Sequence, residues 1–256
     1  MSQNTIEFEK LLEVLNALLA PDGCEWDRKQ THETLIPYLL EETYEVIEAI
    51  ENHNMNALKE ELGDLMLHIL FQAKLSEEKG DFSIADSLNN ISSKLIKRHP
   101  HVFLDEEHPK DENISWEQAK KKEKGRKSVL EGVPISLPSL TRAQRIQEKA
   151  SSVGFDWNDI TPIWNKINEE ITELEEVVDS GNNNRIKDEI GDVLFSVVNL
   201  SRFLNIDAES ALRHTIRKFE GRFKKVENEL ELRGTKIKKS TLEEMDKIWN
   251  KIKKEE

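Results

Sequence analysis

The feature that most constrains this chain is an internal repeat. Glu41-Glu42-Thr43-Tyr44-Glu45, followed by Glu61-Leu62-Gly63-Asp64, recurs as Glu169-Glu170-Ile171-Thr172-Glu173, followed by Glu189-Ile190-Gly191-Asp192. Every acidic position returns at an offset of 128, while the apolar positions between them have diverged. Lys94 and Arg98 match Lys218 and Arg222 in spacing, and Trp116 with Lys120 matches Trp249 with Lys253. Two copies of one module in 256 residues imply two similar small domains rather than one large core.

Both modules read as helical. Leu62, Leu65, Met66, Ile69, Leu70 and Ala73 fall on one helix face, and Ile190, Val193, Leu194, Val197, Val198 and Ser201 fall on the equivalent face of the second copy, which predicts two core helices. With 10 Gly and 7 Pro, turns are few, and no alternating run is long enough for a strand. An all-α fold follows. Thr161-Pro162 reads as N-cap and first helical residue, Ser240-Thr241-Leu242-Glu243 as a capping box, and Pro37 as a first-turn residue. Gly, Pro and Ser gather between Gly125 and Pro138, so the expected division is a first module at 1–125, a linker at 126–138 and a second module at 139–256.

Glu42 and Glu45 share one helical face, as do Glu61 and Asp64. Two such helices side by side bring four carboxylates together, a repulsive arrangement unless a cation neutralises it. Oxygen-only ligands favour Mg²⁺, with Mn²⁺ as a substitute, and Mg²⁺ keeps waters and recruits substrate phosphates. The expected substrate is therefore a polyphosphate. An acidic helix is more often a solvated face, and Glu41, Glu45 and Glu48 do lie opposite the apolar arc; the repeat at fixed offset is what favours a site. A di-iron centre would want Glu-x-x-His on two helices, and none of the 7 His has Glu three residues before it. P-loop, dinucleotide, His-Glu-x-x-His and Gly-x-Ser-x-Gly motifs are also missing from the sequence.

Charge and cysteine content narrow the classes further. A formal charge of -13 opposes binding to nucleic acid or an anionic membrane, and Lys120-Lys121-Lys122-Glu123-Lys124 reads as a solvated helix end. The N-terminal residues lack a signal-peptide pattern, no run is apolar enough to span a membrane, and Cys24 has no partner for an intramolecular disulfide, so a cytoplasmic protein is expected. Cys24 itself reads as a packed small residue. His68 is replaced by Ser196 in the other copy, which argues against a ligand role common to both.

Taken with Cys24-Glu25-Trp26-Asp27, Lys97-Arg98-His99-Pro100-His101-Val102-Phe103, Arg142-Ala143-Gln144 and Val153-Gly154-Phe155-Asp156-Trp157, the doubled acidic motif resembles the tandem-domain MazG nucleoside triphosphate pyrophosphohydrolases over nearly the whole chain. The resemblance implies two four-helix modules, a homodimer, and Mg²⁺-dependent hydrolysis of nucleoside triphosphates to monophosphate and pyrophosphate. Carried over by position, it makes Glu170, Glu173, Glu189 and Asp192 metal ligands with Glu169 beside them, and Glu42, Glu45, Glu61 and Asp64 with Glu41 their first-module equivalents. Lys218 and Arg222 suit the triphosphate charge. Trp249 and Lys253 suit base stacking and phosphate binding, which gives broad base specificity, though Trp249 reads equally as a core anchor. Lys94, Arg98, Trp116 and Lys120 are the first-module counterparts. Arg142, Arg145 and Lys149 suit either the site or an interface.

Two observations single out the second module as the hydrolytic one. Arg185 stands one turn before Glu189 where the first copy has Ala57, and Trp116 with Lys120 lies directly before the linker. The resemblance points the same way. The competing class, a non-catalytic adaptor whose acidic modules bind a basic partner, gives no reason for each copy to repeat its basic and aromatic pair.

Overall fold

The computed structural model describes residues 1–103 and 127–255. The chain divides into two compact units, Met1–Lys110 and Asp111–Glu256, and the described residues are helices and turns, as the repeat and the scarcity of Gly and Pro predict.

The first unit contains α1 (Gln3–Leu19), α2 (Glu25–Arg28), α3 (Ile36–Glu51), α4 (Met55–Glu78), α5 (Ile84–Arg98) and α6 (Pro100–Phe103). Pro37 sits in the first turn of α3 as expected, where its missing N–H costs nothing. His53, in the left-handed region at φ 52, turns the chain so that α4 runs back along α3. Asn54 caps α4 through Ala57 N, and Ser83 forms a reciprocal capping box with Asp86 at the start of α5. Leu15, Leu35, Leu70, Phe71 and Leu75 form the buried centre, with Phe8, Leu11 and Leu67 around it.

The second unit contains α7 (Ser139–Ser151), α8 (Thr161–Val178), α9 (Asn183–Phe203), α10 (Ala208–Leu232) and α11 (Leu242–Glu255), with a short 3-10 turn at Ile237–Lys239. Helices α8 and α9 pair closely, α7 lies against α9, and the start of α10 is tied to α7 by Ala208 N donating to Gln144 Oε1 at 3.0 Å. Helix α11, beyond the four expected, packs on α10 through Val226, Leu230, Ile248 and Ile252.

Three local expectations shift. Thr161 is the first helical residue rather than the cap; its N–H goes to Asp159 Oδ1 at 2.7 Å, and Pro162 follows inside the first turn. The capping box begins one residue later, between Thr241 and Glu244. The two predicted core faces are only partly buried: Leu70, Ala73 and Val198 are inside, whereas Leu62, Met66, Ile69, Ile190, Leu194 and Val197 are exposed. Each apolar stripe is wider than its neighbouring helix covers. The expected linker begins at residue 126, outside the described residues, and 127–138 carry turns but no helix.

Candidate functional site

Pairing α3 with α4, and α8 with α9, brings the repeated acids together. One carboxylate oxygen from each of Glu42, Glu45 and Glu61 lies within 4.8 Å of the others, and the same holds for Glu170, Glu173 and Glu189. Asp64 is near enough for its charge to act on Glu42 and Glu61, and Asp192 lines a cavity with Glu170. Glu41 and Glu169 are exposed on the outer edges of their helices.

The electrostatics are those of crowded acids. Burial, then the charges of Glu45 and Asp64, holds the Glu42 carboxyl above its ordinary value of 4.5. Burial, then Glu45 and Glu60, does the same for Glu61, and burial, then Glu170, for Glu173. An all-oxygen set of converging carboxylates fits a hard divalent cation. A carboxyl held above its ordinary value is still protonated in the folded chain at a pH where the unfolded chain has ionised it, so stability falls as pH rises through and beyond 4.5. Adding Mg²⁺ to the metal-free protein is therefore expected to raise the melting temperature more at neutral pH than at pH about 4. An increment that did not depend on pH, measured by calorimetry, would detach the metal from these acids.

In the second unit a cation already leans into the cluster. Lys166 Nζ lies 2.6 Å from Glu169 and 2.7 Å from the buried Glu170, and these two hydrogen bonds raise its ammonium pKa. Lys166, Glu170 and Asp192 line a cavity of about 790 Å³ whose walls also include Phe155, Trp157 and Phe195. Arg202, which also lines it, is fixed by Asp156 through two hydrogen bonds of 2.9 and 2.5 Å. Of these cavity groups, Glu170 and Asp192 follow from the repeat and the others do not. Lys166 was legible only as a cation one turn before Glu170 on the same face.

At the matching positions the first unit is built differently. Tyr38 stands in place of Lys166 and stacks on His68, ring centroids 6.3 Å apart, with Trp26 set edge-on to Tyr38 at 5.8 Å. His68 Nε2 is 3.9 Å from Glu42 Oε1, and burial lowers its pKa, which favours the uncharged ring. Phe71, 3% exposed in the hydrophobic core, takes the place that Asn199 holds in the second unit.

The remaining expected site residues fall elsewhere on the helices. Arg185 is exposed in the first turn of α9. Lys218 and Arg222 are on α10, and the Arg222 guanidinium lies 5.7 Å from the Trp249 ring centroid; Phe219 packs on the same ring at 5.2 Å. Trp249 thus joins α11 to α10, and Lys253 is exposed on α11. Lys94 and Arg98 occupy the later turns of α5, while Trp116 and Lys120 lie outside the described residues. On α7, Arg145 pairs with Glu148, and Lys149 is buried.

Comparison with known proteins agrees with the doubled site. The model of the MazG nucleotide pyrophosphohydrolase domain matches twice, at residues 30–103 and 161–227, each match spanning one acidic helix pair. A nucleoside triphosphate pyrophosphohydrolase/pyrophosphatase MazG of Thermotoga maritima is 48% identical over 99% of this chain and 98% of its own length. A nucleoside triphosphate pyrophosphohydrolase of Escherichia coli K12 is 41% identical over 98% of each. The uncharacterized protein YabN of Bacillus subtilis is 42% identical over 98% of this chain, which covers 52% of that protein. This chain belongs to the MazG nucleotide pyrophosphohydrolase family.

Proposed function

We propose that the second acidic cluster is the working centre of this nucleoside triphosphate pyrophosphohydrolase, an enzyme that clears the nucleotide pool by hydrolysing nucleoside triphosphates. The observation that carries the assignment is the convergence of Glu170, Glu173 and Glu189 beside Lys166, which lines a cavity together with Glu170. Glu170, Glu173 and Glu189, with Asp192, would hold Mg²⁺ or Mn²⁺. When bound, that ion supplies charge neutralisation for the triphosphate and lowers the pKa of a water. One carboxylate of the cluster accepts the water's proton as its oxygen bonds to phosphorus. The P–O bond that bridges the α and β phosphates breaks, its electron pair stays on the departing phosphate oxygen, and nucleoside monophosphate and pyrophosphate result.

Lys166 now shares its protons with Glu169 and Glu170. With Glu170 neutralised by a bound cation, the Lys166 ammonium would be free to donate to a phosphate oxygen. Lys218, Arg222 and Lys253 are further cations for the triphosphate, and Arg185 lies on the helix that carries Glu189. Aromatic and apolar cavity walls grip any base by its faces, which supports broad base specificity.

A homodimer belongs to the same proposal. Ile190, Leu194 and Val197 on α9, and Leu212, Ile216 and Phe219 on α10, are exposed at helical spacing, and a second copy laid on these stripes would remove them from water. No helix among the described residues is long and apolar enough to cross a membrane, which accords with the proposed cytoplasmic setting.

With Mg²⁺ and ATP, the expected products are AMP and pyrophosphate with no ADP intermediate, and chelation should stop the reaction until Mg²⁺ or Mn²⁺ is returned. Chromatography of a time course checks both. Stepwise ADP and orthophosphate, or full turnover in chelator, would refute the mechanism.

A further inference from the structure

The loop 152–160, between α7 and α8, carries two of the aromatic rings that line the cavity, Phe155 and Trp157. Its first half is built on α7: Gly154, in the left-handed region at φ 88, turns the chain, and the Phe155 N–H returns to the Ala150 carbonyl at 3.2 Å. Helix α7 is in turn joined to α9 by Gln147 Nε2, which donates to the Phe195 carbonyl at 2.9 Å. The rings themselves are not fixed by packing, since Phe155 is 82% exposed and Trp157 42%. Where they stand depends on the backbone beneath them.

That backbone is tied to α9 by one carboxylate. Asp156 Oδ1 accepts the Trp157 N–H at 2.9 Å and Arg202 Nη2 at 2.5 Å, and Asp156 Oδ2 accepts Arg202 Nη1 at 2.9 Å. One turn earlier on α9, Asn199 Oδ1 accepts Arg202 Nε at 2.9 Å. A guanidinium bonded along two edges is held in one orientation. The Arg202 side chain is 11% exposed, so water and salt screen the pair weakly. Helix α9 also carries Glu189 and Asp192, and Arg202 lies roughly 15 Å further along it than Asp192. The pair therefore sets the aromatic wall in register with the acids. At the same offset of 128 the first copy has Arg28 and Lys74, two cations that cannot pair with each other, and Lys74 bonds Glu77 on its own helix at 2.9 Å instead.

Resting on the reading of the acids as the triphosphate site and of the cavity as the nucleoside's, we propose that Asp156 and Arg202 are a positioning pair for the substrate. They act through Phe155 and Trp157, holding both rings where the nucleoside packs, so that the rings need not be ordered at the moment of binding.

The test is steady-state kinetics of the full chain with Mg²⁺ and ATP, beside inhibition by inorganic tripolyphosphate, which has no nucleoside. Arg202→Met should raise KM for ATP about tenfold and leave kcat and tripolyphosphate inhibition unchanged, because loosened rings weaken nucleoside binding alone. Asp156→Asn keeps an acceptor for the Trp157 N–H but loses the charge, and it should raise KM in the same way. The double variant should raise KM no more than the larger single change, since both break one interaction. In a Phe155→Ala, Trp157→Ala background, which has no wall to position, Arg202→Met should raise KM no further. If Arg202→Met loses its helical circular dichroism, Asp156→Asn in both backgrounds decides by the same criteria. An unchanged KM, an equal rise with and without the rings, or a parallel loss of tripolyphosphate inhibition in a folded variant overturns the proposal. Failure of tripolyphosphate to inhibit the parent protein would instead refute the phosphate site itself, and the positioning role with it.

Discussion

Glu173→Ala and Asp192→Ala are each expected to lower NTP hydrolysis by about a hundredfold or more, because a lost carboxylate weakens both metal affinity and the activation of the attacking water. Glu45→Ala and Asp64→Ala should leave a substantial fraction. The asymmetry does not come from the acids, since in each cluster three carboxylate oxygens lie within 4.8 Å of one another. It comes from what adjoins them. In the second unit Lys166 and an open cavity lie beside the cluster, whereas in the first Tyr38 stacked on His68 occupies the equivalent positions and supplies neither a cation for phosphate nor space for a nucleoside. All four variants should be assayed at saturating Mg²⁺, with circular dichroism confirming that each stays helical. Equal losses from both units would mean two working sites, and loss confined to Glu45 and Asp64 would reverse the assignment.

The all-α class was legible because it depends on local signals. Apolar residues at helical spacing, Pro37 in a first turn and few Gly are properties of single segments, and the repeat multiplied their weight. The convergence of Glu170, Glu173 and Glu189 was legible for a related reason: acids three apart on each of two adjoining helices have few other places to point. Which apolar residues end up inside was not legible in the same way. Leu194 and Val198 share one stripe, yet Val198 is buried and Leu194 exposed, because burial depends on how far the neighbouring helices reach and periodicity shows only the direction. The cavity groups were hidden for the opposite reason to the acids. Gln147, Lys166 and Asn199 differ from their first-unit counterparts or lie outside the repeat, so comparing the two copies directs attention away from them.

That difference between copies can be turned into the sharpest test of which residues create the nucleoside site. Asn199→Phe gives the second unit the side chain that the first uses at the same repeat position, where Phe71 is packed among Leu15, Leu35, Leu70 and Leu75. The added ring should occupy the cavity between Phe195 and Gln147, and it removes the acceptor that holds Arg202 Nε. Hydrolysis of all four NTPs should fall by about a hundredfold, since a nucleoside excluded from its pocket loses the binding that positions its phosphates. The acids are untouched, so the Mg²⁺-induced rise in melting temperature should persist. The reverse exchange, Phe71→Asn, should have little direct effect on chemistry but should destabilise the first unit by about 3–5 kcal/mol, as it leaves a void and a buried amide without partners. Thermal unfolding followed beside activity separates the two outcomes. Asn199→Phe protein that folds, binds Mg²⁺ and still turns over ATP at the parental rate would show that the nucleoside lies outside this cavity.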